Sequence, residues 1–330
     1  MNRAFRLLGR RAISSIPVLL IVVVGAFLLL EAAPGDAVDA YLLSIGGGDP
    51  ALVQALRESY GLDQSLPARL SLYLSALARL DLGWSVTFGR PILDLILERL
   101  PNTLWLMGSA VALAFTLGSA LGIIAGARPG SVRDRLLSTG SLALYAVPSF
   151  WLGLVLILVF AVQLRWFPTS GIATIASGKQ GIARAIDIAH HLVLPVCSLG
   201  FIYLALFLRM TRAGMAEAWR QDYALAARAK GLARRRIVLR HVARNALLPL
   251  VTMLGLQAAS MLGGSVVVES VFAVPGFGRL AQEAVAGRDA PLLTGIILVS
   301  AVIVILINLA VDIAYGILDP RVGASEGRAA

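Results

Sequence analysis

The sequence predicts an all-α integral membrane protein of about six transmembrane helices. Three observations lead there. Of 330 residues, 58% are hydrophobic and only 15% charged, with a mean hydropathy of +0.81, whereas a soluble domain carries about 25% charged residues. Six charge-free stretches meet or approach the ~20 apolar residues that a spanning helix needs: 13–30, 103–127, 136–164, 192–208, 246–268 and 291–311. The basic residues gather in alternate loops, the pattern that orients a polytopic protein.

The first stretch follows Arg10 and Arg11, as the core of a secretory signal would. At 18 residues it is longer than such a core, and Glu31 follows it where small residues should stand. It is read as an uncleaved first helix within segment 1–30. Segment 31–101 is too long for a bare loop. Its helix-like stretches 50–60 and 67–80, separated by Gly61-Leu62-Asp63, predict a small helical extracytoplasmic part. The third stretch is long enough to tilt or to extend beyond the hydrocarbon. The fourth is short unless Ile188 and Ala189 lengthen it. Pro17, Pro148 and Pro195 fall in or near spans, where neighbouring helices satisfy the freed carbonyls. Between the last two spans, Pro275-Gly276-Phe277-Gly278 interrupts the helix and 279–286 forms a short one.

Arg3, Arg6, Arg10 and Arg11 precede the first span, Arg128, Arg133 and Arg135 fill the loop after the second, and ten Arg and Lys residues lie in 209–246 after the fourth. From Glu31 to Pro101 there are nine acids against five arginines. Both termini and both basic loops are therefore expected on the cytoplasmic side, including the tail 317–330. This placement accounts for the net charge of +10 without any nucleic acid.

The chain lacks a G-x-x-x-x-G-K-[ST] loop, because Gly178-Lys179 is followed by Gln180 without the required spacing. The single Cys197 permits neither a disulfide within the chain nor a cysteine metal cage. His190 and His191 are adjacent, about 100° apart on a helix, and so form a poor ligand pair; an interfacial histidine pair is the better reading. His241 sits among arginines in the basic loop. The ionisable residues nearest the spans are Glu31, Glu269 and Asp312, all close to an interface. Glu269 is a candidate for a pathway or gating role, or for a structural pair.

In the basic loop, 215–230 contains strong helix formers with neither Gly nor Pro, and Gly231 stands as a C-cap. A second helix over 232–248 leads to Pro249. The small face of Ala226, Ala227 and Ala229 suits burial in a partner's groove. Composition alone favours an amphipathic helix lying on anionic lipid.

The run Tyr223-Ala-Leu-Ala-Ala-Arg-Ala-Lys-Gly231, followed by Arg244-Asn245-Ala-Leu-Leu-Pro249, resembles the EAA loop of ATP-binding-cassette importer permeases. The form is that of the B-type permease subunits of the dipeptide, oligopeptide and nickel family. Ala33-Pro34-Gly35-Asp36, Tyr60-Gly61-Leu62-Asp63, Asp81-Leu82-Gly83, Leu100-Pro101-Asn102-Thr103, Trp166-Phe167-Pro168, Glu269-Ser270-Val271-Phe272, Pro275-Gly276-Phe277-Gly278, Arg288-Asp289 and Leu318-Asp319-Pro320-Arg321 extend the likeness in order along nearly the whole chain. One departure is that Leu225 stands where the general motif has Glu, so no salt bridge forms from that position.

The resemblance implies a type I importer permease fold, with residues 102–316 as the transmembrane domain and 209–246 as its coupling loop. It implies that this subunit forms half of a pathway for a peptide or related small solute (dipeptide, oligopeptide, glutathione, opine or metal chelate) in a bacterial inner membrane. The implied partners are a homologous second permease, two ATPase subunits and an extracytoplasmic solute-binding protein, with ATP and Mg bound by the ATPases and no cofactor, metal or catalytic residue in this chain. Carried over residue by residue, the coupling contact falls on Tyr223, Leu225, Ala226, Ala227, Arg228, Ala229, Lys230, Gly231, Asn245 and Pro249. Two other functions compete. An ATP-independent carrier or channel would ordinarily show deep ionisable residues or inverted repeats. A membrane-embedded enzyme would need a nucleophile–base or metal constellation.

Overall fold

The computed structural model describes residues 2–32, 49, 54, 64–175 and 177–318. The expected helix at 50–60 apart from residue 54, the Ala33-Pro34-Gly35-Asp36 and Tyr60-Gly61-Leu62-Asp63 motifs and the tail from Asp319 lie outside these residues. The elements are α1 (Asn2–Ala32), α2 (Leu66–Ala78), β1 (Trp84–Ser85), β2 (Arg90–Pro91), α3 (Ile92–Gly126), α4 (Val132–Ala146), α5 (Ser149–Leu156), α6 (Gly181–Ala218), α7 (Asp222–Ala229), α8 (Arg234–Ile237), α9 (Ala243–Val271), α10 (Phe277–Ala286) and α11 (Ala290–Leu318). Wider π-helical turns extend α5 through Ile157–Gln163 and join α8 to α9 through Val238–Val242.

Among the described residues, four helices are long and apolar enough to cross a bilayer: Ile92–Gly126, Gly181–Ala218, Pro249–Val271 and Ala290–Val311. The predicted third span differs from expectation. Its two halves, Val132–Ala146 and Ser149–Gln163, meet at 100°. The cause is local: Pro148 disfavours helical backbone at Val147, which is extended with ψ 127°. The apolar part of α1, Ile16–Leu29, is shorter than a full span. The count of six thus depends on α1 and on the bent pair acting as one span.

The described residues divide into two compact units. The first holds residues 2–4, 102–275 and 307–318; the second holds, of the described residues, those within Phe5–Pro101 and Gly276–Leu306. Gly276–Leu306 therefore groups with the earlier part of the chain, a partition different from 31–101 against 102–316. In the first unit, α6 is the central element, packed by α4, α5 and α9. The α3 residues Gly118, Gly122 and Gly126 recur every fourth position and face α6. A Cβ at Gly122 would stand 2.5 Å from the Thr211 Cβ, and one at Gly118 2.7 Å from the Leu204 carbonyl. Their smallness lets the two backbones approach, the usual solution for helices packed within lipid.

In the second unit, Arg69 on α2 pairs with Glu31 at 2.7 Å, and Phe27 stacks on Tyr73 with ring centroids 5.6 Å apart. The β1–β2 hairpin is held by the buried Asp289. Its Oδ2 accepts from the Ser85 hydroxyl at 2.5 Å and the Thr87 amide at 2.9 Å, and its Oδ1 accepts from the Leu292 amide in the first turn of α11 at 3.1 Å. The expected short helix at 279–286 is α10, which begins two residues earlier. Helix α9 ends at Val271, so the interruption falls at 272–276, with Ala273 at φ +49°.

Candidate coupling loop and buried acid

The basic loop is built outward from the end of α6. The sequence predicts one helix over 215–230; the structure instead ends α6 at Ala218 and starts α7 at Asp222, with a turn at Trp219–Gln221. The reason lies in Trp219. Its indole N–H donates to the Gly126 carbonyl at the end of α3, at 2.9 Å. That carbonyl belongs to a helix C-terminus, where no intrahelical donor remains. The indole ring also carries the guanidinium carbons of Arg228 at 4.7 Å and Arg234 at 5.6 Å from its centroid. Arg234 in turn donates to the Ala127 carbonyl at 2.8 Å. Sequence reasoning passed over Trp219, although it is the lone tryptophan in the basic segment.

Helix α7 ends as predicted at Gly231, whose φ is +69°. The Leu232 amide donates to the Ala227 carbonyl at 3.3 Å and the Gly231 amide to the Arg228 carbonyl at 2.9 Å. These are the two bonds of a Schellman cap. The loop then turns into α8 and reaches α9.

Of the ten residues carried over from the resemblance, Ala227 alone is buried. It packs with Ala224, Met215, Ala218, Val242 and Ala246 of this chain. Tyr223, Leu225, Ala226, Arg228, Ala229, Lys230, Gly231, Asn245 and Pro249 are exposed, Leu225 at 66%. The small face is therefore divided. Ala224 and Ala227 seat α7 on its own chain, while Leu225, Ala226 and Ala229 point away. Asn245 donates to the His241 carbonyl one turn earlier, at 3.0 Å.

Next to this loop, Asp134 at the start of α4 is 1% exposed and grips Arg212 of α6 with both oxygens: Nε meets Oδ1, and Nη2 meets Oδ2 at 2.9 Å. The Gly130 amide and Ser138 hydroxyl also donate to it, at 2.8 and 3.2 Å. Such a planar two-point contact has geometric specificity beyond its charge.

Glu269 is fully buried two residues before the end of α9. The hydroxyl of Thr103, itself fully buried, donates to its Oε1 at 2.6 Å. The neighbouring Asn102 amide nitrogen donates to the Pro275 carbonyl at 2.7 Å. Two consecutive α3 residues thus hold the segment that leaves α9. The histidine pair sits elsewhere, at the other end of α6. His190 Nε2 lies 3.0 Å from the Trp166 carbonyl and His191 Nδ1 2.8 Å from the Asp187 carbonyl, with the rings at 86° to each other. Their divergence follows from adjacency. Asp187, which the sequence reading did not single out, binds the Thr174 amide at 2.7 Å and Lys179 Nζ at 2.6 Å, tying the preceding loop to α6.

Residues 118–324 match the family described as binding-protein-dependent transport system inner membrane component. The oligopeptide transport system permease protein AppB of Bacillus subtilis is 39% identical over 318 residues, covering 95% of this chain and 98% of that protein. The di/tripeptide transport system permease protein DppB of Pseudomonas aeruginosa is 38% identical (96% and 98% covered), and the glutathione transport system permease protein GsiC of Escherichia coli 39% identical (95% and 97% covered). An inward-facing structure of the MetNI methionine transporter matches with a TM-score of 0.55 over 69% of this chain and 97% of that one, at 19% identity, a likeness of fold. The chain belongs to the binding-protein-dependent transport system inner membrane component family and is a membrane-spanning permease subunit of an ATP-binding-cassette importer.

Proposed function

We propose that this permease carries peptides or a related small solute, and that separate ATPase subunits drive it through α7. The observation that carries the coupling part is the exposure of Leu225 at 66% beside Ala226 and Ala229, on a helix whose other face is anchored by Ala224, Ala227 and the Trp219 contacts. A rigidly seated helix with an outward apolar face is a surface prepared for a partner. The named substrates of the relatives, oligopeptides, di/tripeptides and glutathione, support the solute class. The arginine distribution supports a cytoplasmic position for the loop and both termini. A homologous second permease completes the pathway, a solute-binding protein delivers the solute from the other side, and ATP and Mg are held by the ATPases. Family membership leaves the ATP-independent carrier or channel without support.

Copurification and proteoliposome uptake test this together. With all partners present, Ala226→Arg is expected to leave the assembled chain inserted while ATP hydrolysis no longer drives uptake. Normal ATP-driven uptake by that variant would sink the coupling role. Glu269 is proposed as a positioning residue that, with Thr103, sets the turn after α9. Glu269→Ala, which removes the acceptor for Thr103, should lower uptake, and unchanged uptake would remove that role.

A further inference from the structure

A groove of about 480 Å³ runs between α4 and α6, lined by Ser138, Leu142 and Tyr145 on one side and by Leu206, Arg209, Met210, Arg212 and Ala213 on the other. Each wall covers two helical turns, so the groove is about 10 Å long. Its polar side chains are unequally engaged. Ser138 and Arg212 both donate to Asp134. Arg209 is exposed, and its guanidinium carbon lies over the face of Tyr145, 6.0 Å from the ring centroid. Among the described residues no ion pair includes Arg209. It directly follows the charge-free run 192–208, so its charge stands where hydrocarbon gives way to headgroups. The rest of the wall is the apolar surface of Leu142, Leu206, Met210 and Ala213.

We infer that this groove binds an anionic phospholipid of the cytoplasmic leaflet, with its phosphate on Arg209 and the upper part of an acyl chain along Leu142, Leu206 and Met210. The inference rests on the orientation proposed above. The match is one of shape and charge. The groove offers one cation outside any ion pair, midway along its α6 wall, with apolar surface on either side of it, which suits an amphiphile with a single anionic head. A peptide would need hydrogen-bond partners spaced along its backbone, whereas Leu142, Leu206, Met210 and Ala213 make most of the wall apolar. A guanidinium binds phosphate at two points and is less costly to desolvate than an ammonium. Basic pockets between membrane helices on the cytoplasmic side are suited to anionic headgroups.

The test is native mass spectrometry of the detergent-solubilised transporter, titrated with phosphatidylglycerol or with phosphatidylcholine of the same acyl chains. Retention of one phosphatidylglycerol in preference to phosphatidylcholine is expected. Arg209→Gln should bind it about fivefold more weakly, the worth of one basic side chain at an anionic surface. Ala213→Phe, which fills the groove without touching the charge, should also weaken it. Arg133→Gln, an exposed arginine at the start of α4, should change nothing. Equal retention of both lipids, an unchanged Arg209→Gln, or displacement by free glycerophosphate as effective as by the lipid would overturn the site. So would a cross-link from Leu142→Cys to the second permease subunit, which would make the groove a subunit interface. Labelling of Arg133→Cys in a Cys197→Ser background by an impermeant thiol reagent separates the two readings. Labelling from outside intact cells would overturn the orientation, and with it the leaflet, while retention in detergent still reports on the groove itself.

Discussion

Small residues do opposite work in α3 and α7. In α3, Gly118, Gly122 and Gly126 are small because α6 already occupies the space beside them: a Cβ at Gly122 has nowhere to go. In α7, Ala224 and Ala227 are small for the same reason, but Ala226 and Ala229, on the same eight-residue helix, face outward. A small residue packed by its own chain reports a completed contact. A small residue beside the exposed Leu225, on a helix seated from behind, leaves its face open, and there the coupling contact is proposed. Composition cannot separate the two cases, because alanine looks the same in both.

Substitutions that add bulk to each class break or sharpen this contrast. Gly122→Leu should have the largest effect, since it separates α3 from α6; a loss of about 3 kcal/mol is expected, read as a lower thermal midpoint of the purified chain in detergent. An unshifted midpoint would mean the stripe is not a packing seam. Ala227→Arg should come close behind, because it places a charge inside the loop's own small core, and it should lower the yield of folded chain rather than merely uncouple it. Trp219→Ala should cost about 2 kcal/mol through loss of the Gly126 carbonyl bond and of two guanidinium stacks; faster proteolysis within 219–233 of inside-out vesicles is the readout, and unchanged cleavage would argue that α7 is seated by its alanines alone. Gly231→Ala forces a side chain into the left-handed backbone and should cost about 1 kcal/mol, with a smaller rise in cleavage at the same place. Ala226→Arg should shift stability least, within about 0.5 kcal/mol, yet abolish ATP-driven uptake. If Ala226→Arg and Ala227→Arg prove equal in both stability and uptake, the division of the small face is wrong.

Much of this was legible along the chain. The apolar stretches at 103–127, 192–208, 246–268 and 291–311 each lie within or largely overlap an observed membrane-length helix, because the requirement for ~20 apolar residues acts on contiguous sequence. Gly231 as a cap was legible because the left-handed conformation is a local demand. The break at 219–221 was not: its residues are all compatible with helix, and the turn is set by an indole reaching a carbonyl 93 positions earlier. The sharp bend at Pro148 was legible only in part. A proline is tolerable within a span, but whether its neighbours preserve the helix or let it turn depends on packing.

The same division holds for the site. The sequence by itself determined the membrane class, the clustering of arginines in particular loops and the segment that matches importer permeases, since these are properties of composition, order and spacing. Only the tertiary structure decided which face of α7 is spent on its own chain, that Thr103 donates to the buried Glu269, that Asp134 engages Arg212 and not Arg209, and that Asp289 fastens the hairpin. Each of these joins residues far apart in sequence. A side chain's partner depends on what the fold brings within a few ångströms of it, and no local pattern records that distance.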